Sequence, residues 1–301
     1  MRGRILIAAA AAALALPAVS LAGGGPGEAT FGYGKYPLET RTFAGCKRFE
    51  ATLPFYRSCL GAAADCHRAA TRYQRYSCIH GLGHAYARQF NDFVDPALTS
   101  CGRLGPNDAP DCAQGVFHGY WIAVAGLDGT RRPAGVTTPR KLCGAQPSRF
   151  VRACWCRALL ERPPAKAPES ARDLLALCRG LSSLQHSACV TGASLIRSSD
   201  PLEQLRTCAS LAAGDAAACI RGVRSPTYAL APFATKLRLI QACATVRTAQ
   251  HACYEWLGKA LNVVTNGSFV TRGCPQLRYA ATRATCTRAA RSYNGALETF
   301  S

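Results

Sequence analysis

Three histidines have the side-chain chemistry and the spacing of a metal site. His80 and His84 are four residues apart, so on an α-helix their rings lie on one face. His118 follows 34 residues after His84, close to the repeat length that the cysteines of this chain suggest. Imidazoles from two neighbouring helices suit Zn²⁺ or Cu²⁺ with an open coordination position. One interpretation of the sequence is therefore a metal centre with His80, His84 and His118 as its ligands.

The same cluster has a second interpretation, in which the histidines only pack or line a groove. Aromatic residues lie close to them in the sequence, and backbone carbonyl groups can satisfy ring nitrogens. Gly81 and Gly83 also favour a loop between His80 and His84, which would remove the helical spacing of the two rings. Both interpretations stay open at the level of sequence.

A catalytic version of the metal centre needs a general base, and the sequence offers only weak ones. The glutamate that lies between the two histidines of the metalloprotease motif is missing here. Glu161 and Asp92 are distant substitutes, and Cys156 permits a Cys–His nucleophilic pair as the other chemistry. The sequence therefore assigns no catalytic residue.

The cysteines indicate which elements position these side chains. In four pairs the two cysteines are 11 residues apart, and in three further pairs the separation is 10 or 12. The first cysteines of successive pairs follow one another at 30 to 42 residues, a period typical of repeated helical units. The seven predicted disulfides are Cys66–Cys78, Cys101–Cys112, Cys143–Cys154, Cys178–Cys189, Cys208–Cys219, Cys243–Cys253 and Cys274–Cys286.

Each repeat has the pattern of two antiparallel helices joined by a short turn. Helix A is expected to end just after the first cysteine, and helix B to start near the second. The turn brings the two cysteines within the roughly 7 Å between Cα atoms that a disulfide requires. Ser170, and Ser199 or Asp200 before Pro201, are expected to cap helices. A glycine three residues after the second cysteine indicates close approach of neighbouring helices, and it occurs at Gly81, Gly115, Gly192 and Gly222.

These features predict an all-α fold: a right-handed stack of antiparallel helix pairs with one disulfide per hairpin. Over residues 60–292 the pattern resembles α-solenoids of the tetratricopeptide or Sel1-like kind, although the tetratricopeptide signature residues are missing. The segment Cys-Ile-His-Gly-Leu-Gly-His-Ala, from Cys78 to Ala85, resembles cysteine-rich exported bacterial proteins. These resemblances imply architecture and export, and they carry no activity with them.

Stacked repeats would place equivalent side chains next to one another. Counted from the second cysteine of its repeat, His80 lies at the second position, and His84 and His118 lie at the sixth. The same two positions elsewhere carry other polar or reactive side chains, which we expect to line a ligand groove: Gln114, Cys156, Glu255 and Lys259.

The N-terminus predicts export. Residues 1–22 have the order of a secretory signal peptide, with a basic start, an apolar run and small residues before the cleavage site. Residues 23–45 are expected to form a flexible linker and residues 46–301 the repeat domain, with no run long enough to cross a membrane. All 17 cysteines follow the predicted signal, as expected for a secreted, periplasmic or cell-surface protein with oxidised thiols. Cys46 and Cys59 are expected to form an irregular first pair unless Cys59 and Cys66 exchange partners, and Cys156 is then the odd cysteine.

The charge of the chain leads to the first functional hypothesis. The formal net charge is +19, which favours an anionic cell-surface polymer as a partner or else reflects an arginine-rich composition. Nucleic acid is not favoured, because the basic residues form no dense block. The leading hypothesis is an exported helical-repeat scaffold that binds a protein or an anionic polymer. The alternative is a metal-binding protein or a metal-dependent enzyme, with Zn or Cu at the histidine cluster.

Overall fold

The computed structural model describes nine stretches of the chain, and their regular structure is helical throughout. These stretches are residues 66–67, 72–90, 93–106, 108–125, 138–161, 168–198, 200–223, 233–264 and 271–292. They contain no β-strand, which confirms the all-α prediction for this part of the chain. The elements are α1 (Arg72–Gln89), α2 (Val94–Gly102), α3 (Ala109–Ala125), α4 (Pro139–Gly144), α5 (Ser148–Glu161), α6 (Ala171–Leu177), α7 (Ser183–Arg197), α8 (Pro201–Ala209), α9 (Ala213–Arg221), α10 (Phe233–Thr245), α11 (Gln250–Val264), a 3₁₀ turn (Cys274–Gln276) and α12 (Ala280–Ser292).

Seven disulfides join the first and second cysteine of each repeat, with the pairing that the spacing predicts. The Cα atoms of the bridged cysteines are 5.4–5.7 Å apart. The second cysteines from Cys112 to Cys253 lie three to six residues after the start of their helices, so these helices start earlier than the sequence suggests. The reason is that the connection after helix A takes only three to six residues. We call α1, α3, α5, α7, α9, α11 and α12, which carry the second cysteines, the B helices.

Local sequence signals set the start of two shorter helices. At α6, the Ser170 hydroxyl oxygen accepts the N–H of Asp173, and the Asp173 carboxylate accepts the N–H of Ser170 in return. At α8, the Asp200 carboxylate accepts the N–H of Leu202, and Pro201 occupies the first helical position. Of the two caps considered for α8, Asp200 is therefore the one that the helix uses.

The B helices contact one another in chain order, and glycine makes these contacts close. α1 packs on α3, α3 on α5 and α5 on α7, and the series continues through α9 and α11 to α12. A Cβ atom on Gly115 would lie 1.8 Å from the carbonyl oxygen of His80 in the preceding B helix. A Cβ atom on Gly222 would lie 1.9 Å from the carbonyl oxygen of Thr191. No other residue fits such a backbone contact, so these glycines set how closely successive B helices approach.

Some predictions concern residues outside the described stretches. The signal peptide 1–22, the linker 23–45, the pairing of Cys46 with Cys59 and the side chain of Asp92 all belong to this group. Among the described helices, none combines the length and the apolar character that a membrane crossing requires.

The bridge between Cys178 and Cys189 allows the contribution of one disulfide to be measured. Both cysteines are fully buried. Replacing both with alanine is expected to lower the free energy of unfolding by about 2–4 kcal/mol, because the unfolded chain is then less constrained. Urea denaturation without reductant measures this, with Cys156→Ala as the control, since Cys156 is also buried but lies outside the seven bridges. A double variant no less stable than the control would contradict the prediction.

Candidate metal centre

The first two histidines lie on one uninterrupted helix. α1 runs from Arg72 to Gln89, so His80 and His84 lie one turn apart on the same face. The loop that Gly81 and Gly83 favour in the sequence does not form. A Cβ atom on Gly83 would lie 2.0 Å from the carbonyl oxygen of Cys112. This glycine therefore lets α1 pack closely on α3 and does not form a turn.

The third histidine comes from the neighbouring helix, and the close crossing of α1 and α3 brings it near the other two. His118 lies on α3, whose backbone meets α1 where Gly83 and Gly115 face each other. A Cβ atom on Gly119 would lie 3.2 Å from Nδ1 of His84, so glycine at this position leaves room for the ring. The glycines thus position the histidine rings.

Each of the three rings directs one nitrogen to a common point. Nε2 of His80 lies 3.1 Å from Nδ1 of His118, and Nε2 of His84 lies 2.9 Å from the same atom. The two Nε2 atoms of His80 and His84 are 3.3 Å apart. Within the described stretches, no other group of three or more metal-ligating side chains converges in this way. We call His80, His84 and His118 the triad.

Hydrogen bonds alone do not account for the triad. A neutral imidazole nitrogen either donates one proton or accepts one, and it cannot do both. With three nitrogens in mutual contact, at least one contact must therefore join two donors or two acceptors. A metal ion at the centre removes this conflict, because all three nitrogens then present lone pairs to it.

Burial favours the neutral, metal-binding form of His80 and His118. His80 is 2% exposed and His118 is 7% exposed, whereas His84 is partly exposed. Burial holds the pKa of His80 well below its usual value of 6.5, and the nearby Arg157 guanidinium and the other two histidines act in the same direction. Burial, followed by Arg157, also lowers the pKa of His118. Neutral imidazole is the form that binds metal, so these rings need not lose a proton near neutral pH.

Glu161 contacts the outer side of the His118 ring. Its Oε1 lies 3.3 Å from Nε2 of His118, while Nδ1 of the same ring faces the other histidines. A carboxylate that accepts the outer N–H of a metal-binding histidine fixes the tautomer whose lone pair points inward. Glu161, which the sequence offers as a weak general base, therefore lies where it would orient His118 as a ligand.

A buried arginine lies behind the triad, and the sequence analysis missed it. Arg157 is fully buried, and its Nη2 lies 3.3 Å from Oε1 of Gln114 and 3.5 Å from the hydroxyl oxygen of Tyr76. Its Nη1 lies 3.8 Å from Oε1 of Glu161. Arg157 is the third residue after Cys154, a position that is glycine in four other repeats. This departure from the repeat pattern is the signal that would have identified it.

The residues predicted to line a groove lie in different surroundings. Gln114 is buried next to Arg157, behind the histidines. Cys156 is fully buried and belongs neither to the seven disulfides nor to the triad. Glu255 and Lys259 form an ion pair with each other, one turn apart on α11. A groove common to all four stays a prediction.

Removing the charge of Glu161 tests how the His118 ring is held. Glu161→Gln is expected to lower zinc affinity by about 10- to 100-fold, because the ring loses the carboxylate that orients it and raises its basicity. Competition with a chromogenic chelator measures the affinity. Glu203→Gln is the matched control, since the Glu203 carboxylate contacts Arg197 and Ser198 on another part of the chain. Equal affinities for the two variants would contradict this role of Glu161.

Similarity to known proteins does not decide between the two interpretations of the histidine cluster. Comparison with protein-family models, with curated proteins and with solved structures gives no match to this chain. The assignment of the triad therefore depends on its own geometry, burial and contacts.

Proposed function

We propose that this protein binds one zinc ion through His80, His84 and His118 and keeps one coordination position open. The supporting observation is the triangle of ring nitrogens, whose sides measure 2.9, 3.1 and 3.3 Å. Nitrogens bound about 2.0–2.1 Å from a tetrahedral zinc ion lie roughly 3.3 Å from each other, so only small movements are needed. Three protein ligands and an open position are typical of catalytic zinc, whereas structural zinc has four protein ligands.

The shape of the triangle favours Zn²⁺ over Cu²⁺. In a square-planar copper site with three nitrogen ligands, two of them lie opposite each other and roughly 4 Å apart. The longest separation in the triad is 3.3 Å, which suits a tetrahedral ion better. The triad contains no thiolate, the ligand that would favour Cu⁺.

Elemental analysis tests the proposal. Protein produced by secretion into an oxidising compartment, so that its disulfides form, is expected to carry close to one equivalent of zinc after removal of loosely bound metal. The triple variant His80→Ala, His84→Ala and His118→Ala should carry none. His251→Ala should keep the metal, because His251 is exposed on α11. Zinc-free protein that does not take up zinc in solution, or a triple variant that retains it, would refute the proposal.

We also propose that the repeats stack as a right-handed solenoid of antiparallel helix pairs in an exported protein. The sequential contacts between B helices and the seven disulfides support this arrangement. Since α11 also contacts α1, the stack must curve strongly. Small-angle X-ray scattering distinguishes such a curved particle from an extended rod, and a rod-like profile would refute the curved stack.

Binding of an anionic cell-surface polymer is a second candidate function. Exposed arginines on the connections that follow the first cysteines support it, namely Arg103, Arg179 and Arg247. These arginines lie on every second connection, and stacked repeats would align the connections along one edge. Binding to a polymer such as polyglutamate should weaken steeply as salt rises, whereas binding that is insensitive to salt would contradict an electrostatic contact.

A further inference from the structure

We propose that the open position of this zinc centre takes a small carboxylate, or a similar oxygen monoanion, from solution. The inference rests on the proposed zinc site and starts from its charge. Three neutral imidazoles leave the full +2 charge of the zinc ion in place. The carboxylate of Glu161, 3.3 Å from Nε2 of His118, is offset by the Arg157 guanidinium 3.8 Å from the same oxygen. The centre with its contacting groups therefore keeps a net charge of about +2.

Burial makes this charge costly unless an anion compensates for it. His80 is 2% exposed and Arg157 is fully buried, so water screens little of the charge on this side of the centre. A monoanion at the open position halves the net charge, whereas water or a neutral amide leaves it unchanged. The Arg157 guanidinium preserves this preference for an anion, because it balances the Glu161 carboxylate. Arg157 occupies a position that is glycine in four other repeats, so this positive charge is specific to the repeat next to the triad.

The exposure of the surrounding residues indicates where a ligand enters. Tyr76, Gln114 and Arg157 are buried and close the inner side of the site. His84 is partly exposed, and the side chain of Glu161 is 13% exposed on the outer side. A ligand therefore reaches the metal from the side of His84 and Glu161, where the low exposure favours a small ion over a polymer.

Cobalt-substituted protein provides the test, because the visible absorption of Co²⁺ reports changes in its ligands. The probes are acetate and acetamide, which have nearly the same size but differ in charge. Acetate is expected to change the cobalt spectrum with saturation, and acetamide at the same concentrations is expected to leave it unchanged. Equal responses to both probes would overturn the inference. So would a spectrum that acetate does not change, as in a centre that holds only water or hydroxide.

Substitutions that change the charge around the metal provide a second test, in which acetate affinity is measured at saturating cobalt. Arg157→Gln is expected to weaken acetate binding by about tenfold, because the site loses one nearby unit charge in surroundings of intermediate dielectric constant. Arg157→Lys keeps the charge and should restore most of the acetate affinity. Glu161→Gln should tighten acetate binding, because it removes a negative charge. The two substitutions to glutamine act in opposite directions, so Glu161→Gln alone keeps the inference testable if Arg157→Gln does not fold. Unchanged acetate affinity in Glu161→Gln would count against it.

Failure of this inference is distinguishable from failure of the zinc site. Protein that gives no cobalt spectrum refutes the metal centre and the anion together. Protein that binds one cobalt ion but does not distinguish acetate from acetamide keeps the metal centre and refutes only the anion.

Discussion

Replacing His118 with alanine is expected to abolish zinc binding at any physiological concentration of the metal. Nδ1 of this ring contacts both other histidines, and Nε2 contacts Glu161. The substitution therefore removes one ligand and also the link to the carboxylate. We expect affinity to fall at least about 1,000-fold, beyond the roughly 10- to 100-fold effect of a residue that only supports a ligand.

Thermal unfolding with and without zinc shows this loss directly. A ligand at 1,000 times its dissociation constant stabilises the folded state by about 4 kcal/mol. For a chain of this size that raises the melting temperature by roughly 10 °C. His118→Ala should show no such rise, whereas His251→Ala, at an exposed position on another helix, should respond like the original protein. A zinc-dependent rise in His118→Ala would exclude this histidine as a ligand.

Replacing Gly115 with alanine is expected to destabilise the fold and to weaken zinc binding at the same time. The added Cβ atom would lie 1.8 Å from the carbonyl oxygen of His80 and 3.0 Å from Cα of Gly83, so α1 and α3 must separate. We expect a loss of about 3 kcal/mol in the free energy of unfolding, as for overpacking in a tightly packed core. Because His80 and His118 lie on the two helices that separate, the triangle of nitrogens opens and zinc affinity falls.

Substitutions at two further glycines distinguish the effect on stability from the effect on zinc affinity. Gly222→Ala creates a comparable clash, 1.9 Å from the carbonyl oxygen of Thr191, but at the contact between α7 and α9. It should destabilise the protein similarly and leave zinc affinity unchanged. Gly214→Ala meets no atom within 4 Å and should be neutral or slightly stabilising, because alanine favours helix. If Gly115→Ala bound zinc as tightly as Gly222→Ala, the α1–α3 crossing would not position the triad.

Most of what can be predicted about the fold from the sequence follows from the cysteine spacing. A bridge between residues about 11 apart is possible only when the chain reverses between them, so the spacing predicts both the turns and the pairing. The same count from the second cysteine places His84 and His118 at the equivalent sixth position, with His80 four residues before His84, and the three rings meet. Regular repeats allow such an inference because neighbouring units contact each other in a constant register.

Other parts of the site depend on contacts that local sequence does not encode. Gly81 and Gly83 favour a loop by their own propensity, but packing of α1 on α3 keeps the segment helical. Cys156 shares its position in the repeat with His80, yet it does not join the triad, because it lies on α5 whereas the three histidines lie on α1 and α3. Arg157 breaks the glycine pattern, and only the folded structure shows that it approaches Glu161 and Gln114.

Crystallography of the zinc-loaded protein, with anomalous scattering measured on both sides of the zinc absorption edge, tests the central claim most directly. We expect one strong zinc peak, bound by Nε2 of His80, Nε2 of His84 and Nδ1 of His118 at about 2.0–2.1 Å, with a fourth ligand that the protein does not supply. A zinc peak elsewhere, for example between His186 and Asp215, with no density for metal between the three rings, would contradict the metal centre.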